Sequence, residues 1–263
     1  MKKITLLYIF MVAFAAETLA FTTFGHQTIA SIASKHLTDK AQSEVKAILG
    51  TDMVKESVWL NELRKKPELA YTKEWHLFTL DSEGKSTTTY ENDGVVQLEK
   101  AVAVLRNRAN EEKQAVQDAL RIVIHLVGDM HCLSHVRIDG IEESKGFKFK
   151  IHNTLEGKKA KEWNATWHAL WQKAFLDRNI ILSPSYYGDD VEIFLGSKKA
   201  EYEKGTPRFW VANVGEDVVR CMKAIVPNTI VSLGDKERME DVHNRSLAKA
   251  GYRLAALLND IFK

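Results

Sequence analysis

Between Ala119 and His135 the chain reads Ala-Leu-Arg-Ile-Val-Ile-His-Leu-Val-Gly-Asp-Met-His-Cys-Leu-Ser-His. This sets His125, Asp129, His131 and His135 into a strongly apolar helical run. Burying an unmatched charge costs on the order of several kcal/mol, so such groups need partners. His125 and Asp129 are four residues apart and project from one helical face. His135 follows ten residues after His125 and reaches the same pocket where the helix ends or bends. A divalent metal is the simplest partner for that set of groups. The alternative is a core helix whose histidines bond to neighbouring backbone, the usual reading for one histidine but not for a cluster. His131 sits off the ligand face, where a surface or supporting role fits better than ligation.

Other segments carry groups of the same kind. Phe21-Thr-Thr-Phe-Gly-His26 follows an expected cleavage site, so a free α-amine and its own carbonyl lie near an imidazole. Further on come Trp59-Leu-Asn61-Glu-Leu-Arg64, Glu74-Trp-His76 and Asn164-Ala-Thr-Trp-His168-Ala-Leu-Trp-Gln172. Ala248-Lys-Ala-Gly-Tyr-Arg-Leu-Ala255 is a C-terminal landmark.

In this order and spacing the segments resemble the S1/P1 nuclease family, zinc-dependent single-strand nucleases of the phospholipase C/P1 nuclease superfamily. The resemblance spans nearly the whole chain after residue 20 and is most specific at His-x-x-x-Asp with a histidine six residues on. It implies a mainly α, single-domain helical fold with a short β-hairpin, and up to three zinc ions. The amine and carbonyl of Phe21, with His26 and a bridging Asp129, would hold one ion. Asn61, His76, His125 and Asp129 would hold a second, and His135, His168 and Gln172 a third. Arg64 falls where the family places an arginine near the substrate phosphate, a task that suits its fixed fork. Asp129 and Arg64 are thus the implied catalytic residues. The implied reaction is hydrolysis of single-stranded DNA, RNA or 3′-nucleotides by a zinc-activated water.

Asn61 and Gln172 stand where the family has aspartates, each putting a neutral amide in place of an anionic oxygen. Asp129 is then the one anionic side chain among the implied ligands, which lowers expected zinc occupancy. Glu62 offers a carboxylate next to Asn61. Leu77 takes the position of a base-stacking aromatic, and Phe78 is expected to point elsewhere. Three readings stay open: an exported phosphodiesterase, a family member that binds metal or nucleotide without turnover, and a phospholipase C-like enzyme.

The elements that position these residues are mostly helical. The chain has 263 residues, 45% hydrophobic and 27% charged, enough for one sizeable core. A formal net charge of +2 gives no sign of a strongly basic surface, although charge can be local. Met1-Lys2-Lys3, an apolar stretch to Ala15 and Glu17-Thr-Leu-Ala20 have the layout of a secretory signal peptide. Residues 1–20 are the expected leader and residues 21–263 the helical domain, secreted or periplasmic and monomeric. The apolar run is short for a membrane span.

Hydrophobic spacing predicts helices over residues 28–37, 38–49, 57–64, 95–108, 111–130, 163–175, 217–226 and 241–262. Phe-Lys-Phe-Lys-Ile over 147–151 alternates as a short strand, in a hairpin with part of the next segment, and residues 156–162 form a polar loop. Lys145, Lys148 and Lys150 are expected on a solvated edge strand. The tryptophans Trp59, Trp75, Trp163, Trp167 and Trp171 are expected to pack around the site. Cys132 and Cys221 read as buried thiols, and a bridge between them has no pattern in its favour.

Overall fold

Three helices that touch one another make the frame, and the chain builds them from its ends and its middle. A computed structural model describes residues 23–141, 149–153, 161–171, 182–226 and 229–263. Helix α1, Thr23–Lys35, buries nine of its residues, including His26, Thr28, Ile29 and Ile32. It is followed by α2 (Asp39–Leu49), α3 (Met53–Glu56) and α4 (Trp59–Leu63). A 3₁₀ segment, Pro67–His76, leads into strand β1, Phe78–Leu80. Helices α5 (Gly94–Arg106) and α6 (Lys113–Met130) pack on each other, and α6 also contacts α1. Helix α6 ends in a 3₁₀ turn, Leu133–His135, and strand β2, Val136–Ile138.

The second half supplies strands β3 (Phe149–Asn153) and β4 (Lys161–Ala165) and the short helix α7 (Trp167–Ala169). Helices α8 (Pro184–Leu195), α9 (Lys199–Tyr202) and α10 (Pro207–Lys223), strand β5 (Ile230–Val231) and helix α11 (Leu233–Ile261) complete it. Helix α11 packs along both α1 and α6, so the frame closes on itself.

Local chemistry explains where the helices start. Thr38, Asp93, Ser183, Thr206 and Ser232 each accept a backbone N–H of the first turn they precede. Pro184 and Pro207 follow two of these caps, where a missing N–H costs nothing.

The fold is mainly helical with little sheet, as the sequence predicts. The hairpin is present: β3 pairs antiparallel with β4, with Ile151 opposite Trp163. Several local expectations are corrected. Residues 161–165 are strand, so the predicted helix over 163–175 begins only at Trp167 behind its Thr166 cap, and the predicted loop ends before Lys161. Strand β3 lies between β4 and β5, so Lys150 is on a central strand rather than an edge. Lys145, Lys148 and residues 172–175 lie outside the described residues. Helices α10 and α11 begin well before residues 217 and 241, and α8 was not expected. Both cysteines are buried and unbridged. Trp167 and Trp171 are core residues at 2% and 1% exposure, with ring centroids 5.3 Å apart.

Candidate metal centre

Four elements aim an imidazole at one carboxylate. Asp129 projects from the last turn of α6 with no exposure, and His125 stands one turn earlier on the same face. His125 Nε2 lies 3.1 Å from Asp129 Oδ2. His76 Nδ1, from the end of the 3₁₀ segment, is 2.6 Å from the same oxygen. On the other side, His26 Nε2 from the first turn of α1 is 3.3 Å from Asp129 Oδ1, and His135 Nδ1 is 3.6 Å away. The His26 and His125 rings stack at 3.9 Å, and the ligand atoms of His26, His125 and Asp129 lie within 4.8 Å of one another.

The fold dictates this convergence. Helix α6 stops at Met130 and turns tightly, with His131 N–H bonded to Gly128 O and Cys132 N–H to Asp129 O. The short turn that follows delivers His135 back to the pocket. Strands β1 and β2 then run parallel in register, Phe78 opposite Val136. Each begins just after a histidine, so the pairing holds His76 and His135 side by side. Their contact is a hydrogen bond of 2.7 Å from His135 Nδ1 to the His76 carbonyl.

Gly128 is as important as the ligand-type residues. A Cβ on it would fall 2.8 Å from His26 Nδ1 and 3.1 Å from its Cε1. Only glycine next to Asp129 lets the His26 ring approach α6.

Protons alone leave buried atoms of this pocket unsatisfied. His125 Nδ1–H donates to Ser57 O at 2.7 Å, so the neutral ring presents an unprotonated Nε2 to Asp129. These two acceptors, 3.1 Å apart in a dry site, have at most the single His76 Nδ1–H to share, at 2.6 Å from Asp129 Oδ2 and 3.2 Å from His125 Nε2, and a cation between them would satisfy both. His135 Nδ1–H is likewise committed, and its Nε2 is buried with no hydrogen-bond partner. His76 Nε2 and Asn61 Oδ1 are also buried without one. Such atoms, aimed inward and unsatisfied, fit a metal-binding donor set.

Burial keeps these groups in the protonation states that bind metal. It lowers the His26 pKa to about 4 and that of His135 to about 3, and pushes that of His76 down as well. Burial works against the Asp129 carboxylate, but His125, His76 and His135 outweigh it and hold its pKa well below the usual range. The His26, His76 and His135 imidazoles are thereby held neutral and the Asp129 carboxylate anionic near neutral pH.

The remaining sequence candidates divide. Asn61 is buried at 3% exposure in α4. His168, half-buried on α7, lays its ring parallel to that of His135 at 5.5 Å. Arg64, buried at 7% exposure, caps the end of α4 and lines the cleft over the histidines. Phe21 and Gln172 lie outside the described residues. Glu62 is no substitute ligand: it is exposed and paired with Lys65 at 2.8 Å. His131 is not on the surface but fully buried, with Nδ1 on Val127 O and Nε2 on Arg253. Phe78 points into the core, as expected.

The cleft has a volume of about 290 Å³ and is lined by Arg64, Lys73, His76, Leu77, His135, Arg137 and His168. A larger cavity of about 850 Å³, with Ile138, Ala212 and Gly215 in its wall, has none of these histidines. Size is the weaker guide here, because the smaller cleft is the one that sets histidines of the Asp129 cluster beside cations. A model of the S1/P1 nuclease family matches residues 21–263.

The chain belongs to the S1/P1 nuclease family. No curated protein matches it. S1/P1 nucleases are zinc-dependent, and membership supports a nuclease or phosphodiesterase function with nucleic acid as substrate. Among the described residues no helix is long and apolar enough to cross a membrane.

Around this site, sequence reasoning missed Lys73, Arg137, Ser57 and Gly128. The signal for Arg137 was its place two residues after His135, and for Lys73 its place three residues before His76. Ser57 acts through its backbone carbonyl and left no signal in its side chain.

Proposed function

We propose that the chain is an exported zinc-dependent phosphodiesterase that hydrolyses single-stranded nucleic acid or 3′-nucleotides. The observation that carries this reading is the Asp129 carboxylate ringed by four imidazole nitrogens within 3.6 Å, with buried acceptors facing one another. His26, Asp129 and the Phe21 amine and carbonyl form one ligand group. Asn61, His76, His125 and Asp129 form a second, and His135, His168 and Gln172 a third. Residues 1–20 act as the export leader, and cleavage after Ala20 frees the Phe21 amine. Zinc in such a site supplies Lewis-acid activation of water near neutral pH and neutralises charge on phosphoryl oxygens.

The chain's own residues do the rest. Asp129 contributes the single negative side-chain charge and links the two inner ligand groups. Ser57 O and His76 O fix the His125 and His135 tautomers, so that each presents a lone pair inward. Arg64, Lys73 and Arg137 line the cleft and hold the phosphodiester by its charge. No Phe, Tyr or Trp lines it among the described residues, so binding rests on phosphate more than on nucleobase stacking.

The test is to purify protein beginning at Phe21, measure zinc, and assay single-stranded DNA, RNA, 3′-nucleotides and a choline phosphodiester. Hydrolysis of nucleic acid or nucleotide with bound zinc supports the reading, and metal without any phosphoester hydrolysis contradicts it.

A second reading, metal or nucleotide binding without turnover, draws on the buried Asn61 amide where a carboxylate would balance charge. In that case Asn61→Asp with Gln172→Asp raises metal content and switches hydrolysis on. A parent protein already as active as the double variant removes this reading.

A further inference from the structure

The C-terminal Gly251-Tyr-Arg253 segment lies on α11, away from the ligand residues, yet it grips both helices that supply the inner ligands. A Cβ on Gly251 would fall 2.4 Å from Ile32 Cγ2, so α11 seats directly against α1, the helix that carries His26. Two residues on, Arg253 is buried at 3% exposure. Its Nε donates to Tyr202 O at 2.9 Å, its Nη1 to His131 Nε2 at 2.8 Å, and its Nη2 to Asn213 Oδ1 at 3.4 Å. The guanidinium lies over the Trp210 ring at 5.4 Å. No carboxylate among the described residues comes within ion-pair distance of it, an expensive arrangement for a buried cation.

Arginine keeps its protons, so His131 Nε2 has to accept. Nδ1–H then donates to Val127 O at 2.7 Å, which fixes one tautomer and uses both ring nitrogens. Val127 O is a carbonyl of the last turn of α6. With Gly128 O bonded to His131 N–H and Asp129 O to Cys132 N–H, three consecutive carbonyls of that turn are tied down. Asp129 projects from this turn.

We propose that Arg253 and His131 are positioning residues: through the Val127 carbonyl they fix the turn that aims Asp129 at the metal cluster. The proposal rests on the metal reading above, and its experiment separates the two. Zinc affinity is measured by chelator competition on the folded fraction of the parent, R253M, R253K and H131Q, alongside thermal stability. Glutamine can donate to Val127 O and accept from Arg253, so H131Q should stay within a few-fold of the parent. R253M should lose about 10- to 100-fold in affinity, the range for groups that orient ligands, and R253K should recover part of it. Histidine nitrogen spectra of the metal-free proteins give a second readout. The parent should show His131 protonated at Nδ1, and R253M should move the His125 and His26 signals as well as that of His131.

R253M with a lower melting temperature but parental zinc affinity, or with only the His131 signal moved, overturns the proposal. A parent that takes up no zinc overturns the metal reading instead, and the metal-free spectra still decide this one.

Discussion

The two ends of the histidine cluster are built differently. At the inner end His26, His76, His125 and Asp129 are all at most 1% exposed, and they come from elements the core already presses together. Each is held by a second contact: ring stacking for His26, a backbone carbonyl for His125, the Asp129 carboxylate for His76. At the outer end His168 is half-buried on a one-turn helix and lays its ring parallel to that of His135 at 5.5 Å. The inner group is a product of the frame α1–α6–α11. The outer group depends on what the hairpin and α7 do locally, anchored by Trp167 and Trp171. A metal at the inner end would find its donors in place, whereas the outer end offers one buried imidazole, His135, and one half-buried, His168.

That contrast orders the expected effects of substitution. The largest belongs to Asp129→Asn, which removes the charge shared by the inner groups. Zinc affinity measured by chelator competition should fall by at least about a hundredfold, beyond the range seen for orienting groups. Next is Gly128→Ala. Alanine gains about 1 kcal/mol of helix propensity, but the methyl group forces the His26 ring aside and costs about 1–3 kcal/mol of strain. Stability should fall by no more than about 2 kcal/mol, while zinc affinity drops about tenfold. A parental affinity for this variant would show that the inner end is not preorganised.

Asn61→Asp works in the opposite direction. A carboxylate near the inner ion strengthens binding by an estimated tenfold or more at the effective dielectric of such sites. His168→Ala should remove one ion's worth of metal and leave the inner group loaded, with a stability loss within about 1 kcal/mol. Elemental analysis of His168→Ala beside Asp129→Asn distinguishes an outer from an inner loss.

A separate expectation concerns the pH dependence of the metal-free fold. His26 and the remote, buried His243 are each pushed by burial to about 4, so the folded state prefers their neutral form. The unfolded chain takes up protons first as pH falls through the ordinary value of 6.5. Stability is therefore full above about 6.5 and is lost progressively toward about 4. Urea titrations in the presence of chelator check this, and a flat profile across that window would contradict it.

Much of the inner end was legible in the sequence because one helix carries its densest signal. His125 and Asp129 share a face by spacing alone, and an apolar setting makes their burial costly without a partner. His26 and His76 could be attached only through a family likeness, since nothing in their own surroundings says that α1 and β1 meet α6. The parallel pairing of β1 with β2, which seats His76 beside His135, involves residues 58 positions apart and three-residue strands. No periodicity reports a contact of that kind.

The missed helix starts have a different cause. Ser183-Pro184 and Thr206-Pro207 are cap-and-proline signals, but the apolar spacing after them is diluted by residues such as Tyr186, Asp190 and Asn213. Trp163 and Trp167 sit at helical spacing, which extends the predicted helix into the second half of β4, and the Thr166 cap between them is what divides strand from helix. Of the two roles the sequence allows His131, surface or supporting, burial removes the first, and nothing near it in the sequence marks what it bonds to. Its partner, Arg253, is 122 residues away.

The central claim is that the inner cluster is a preformed metal site centred on Asp129. Zinc content of protein beginning at Phe21, compared with its Asp129→Asn variant after identical loading and desalting, tests it most directly. The account predicts bound zinc in the parent and its loss from a variant that remains folded. Equal zinc in both, or none in a folded parent, would contradict it.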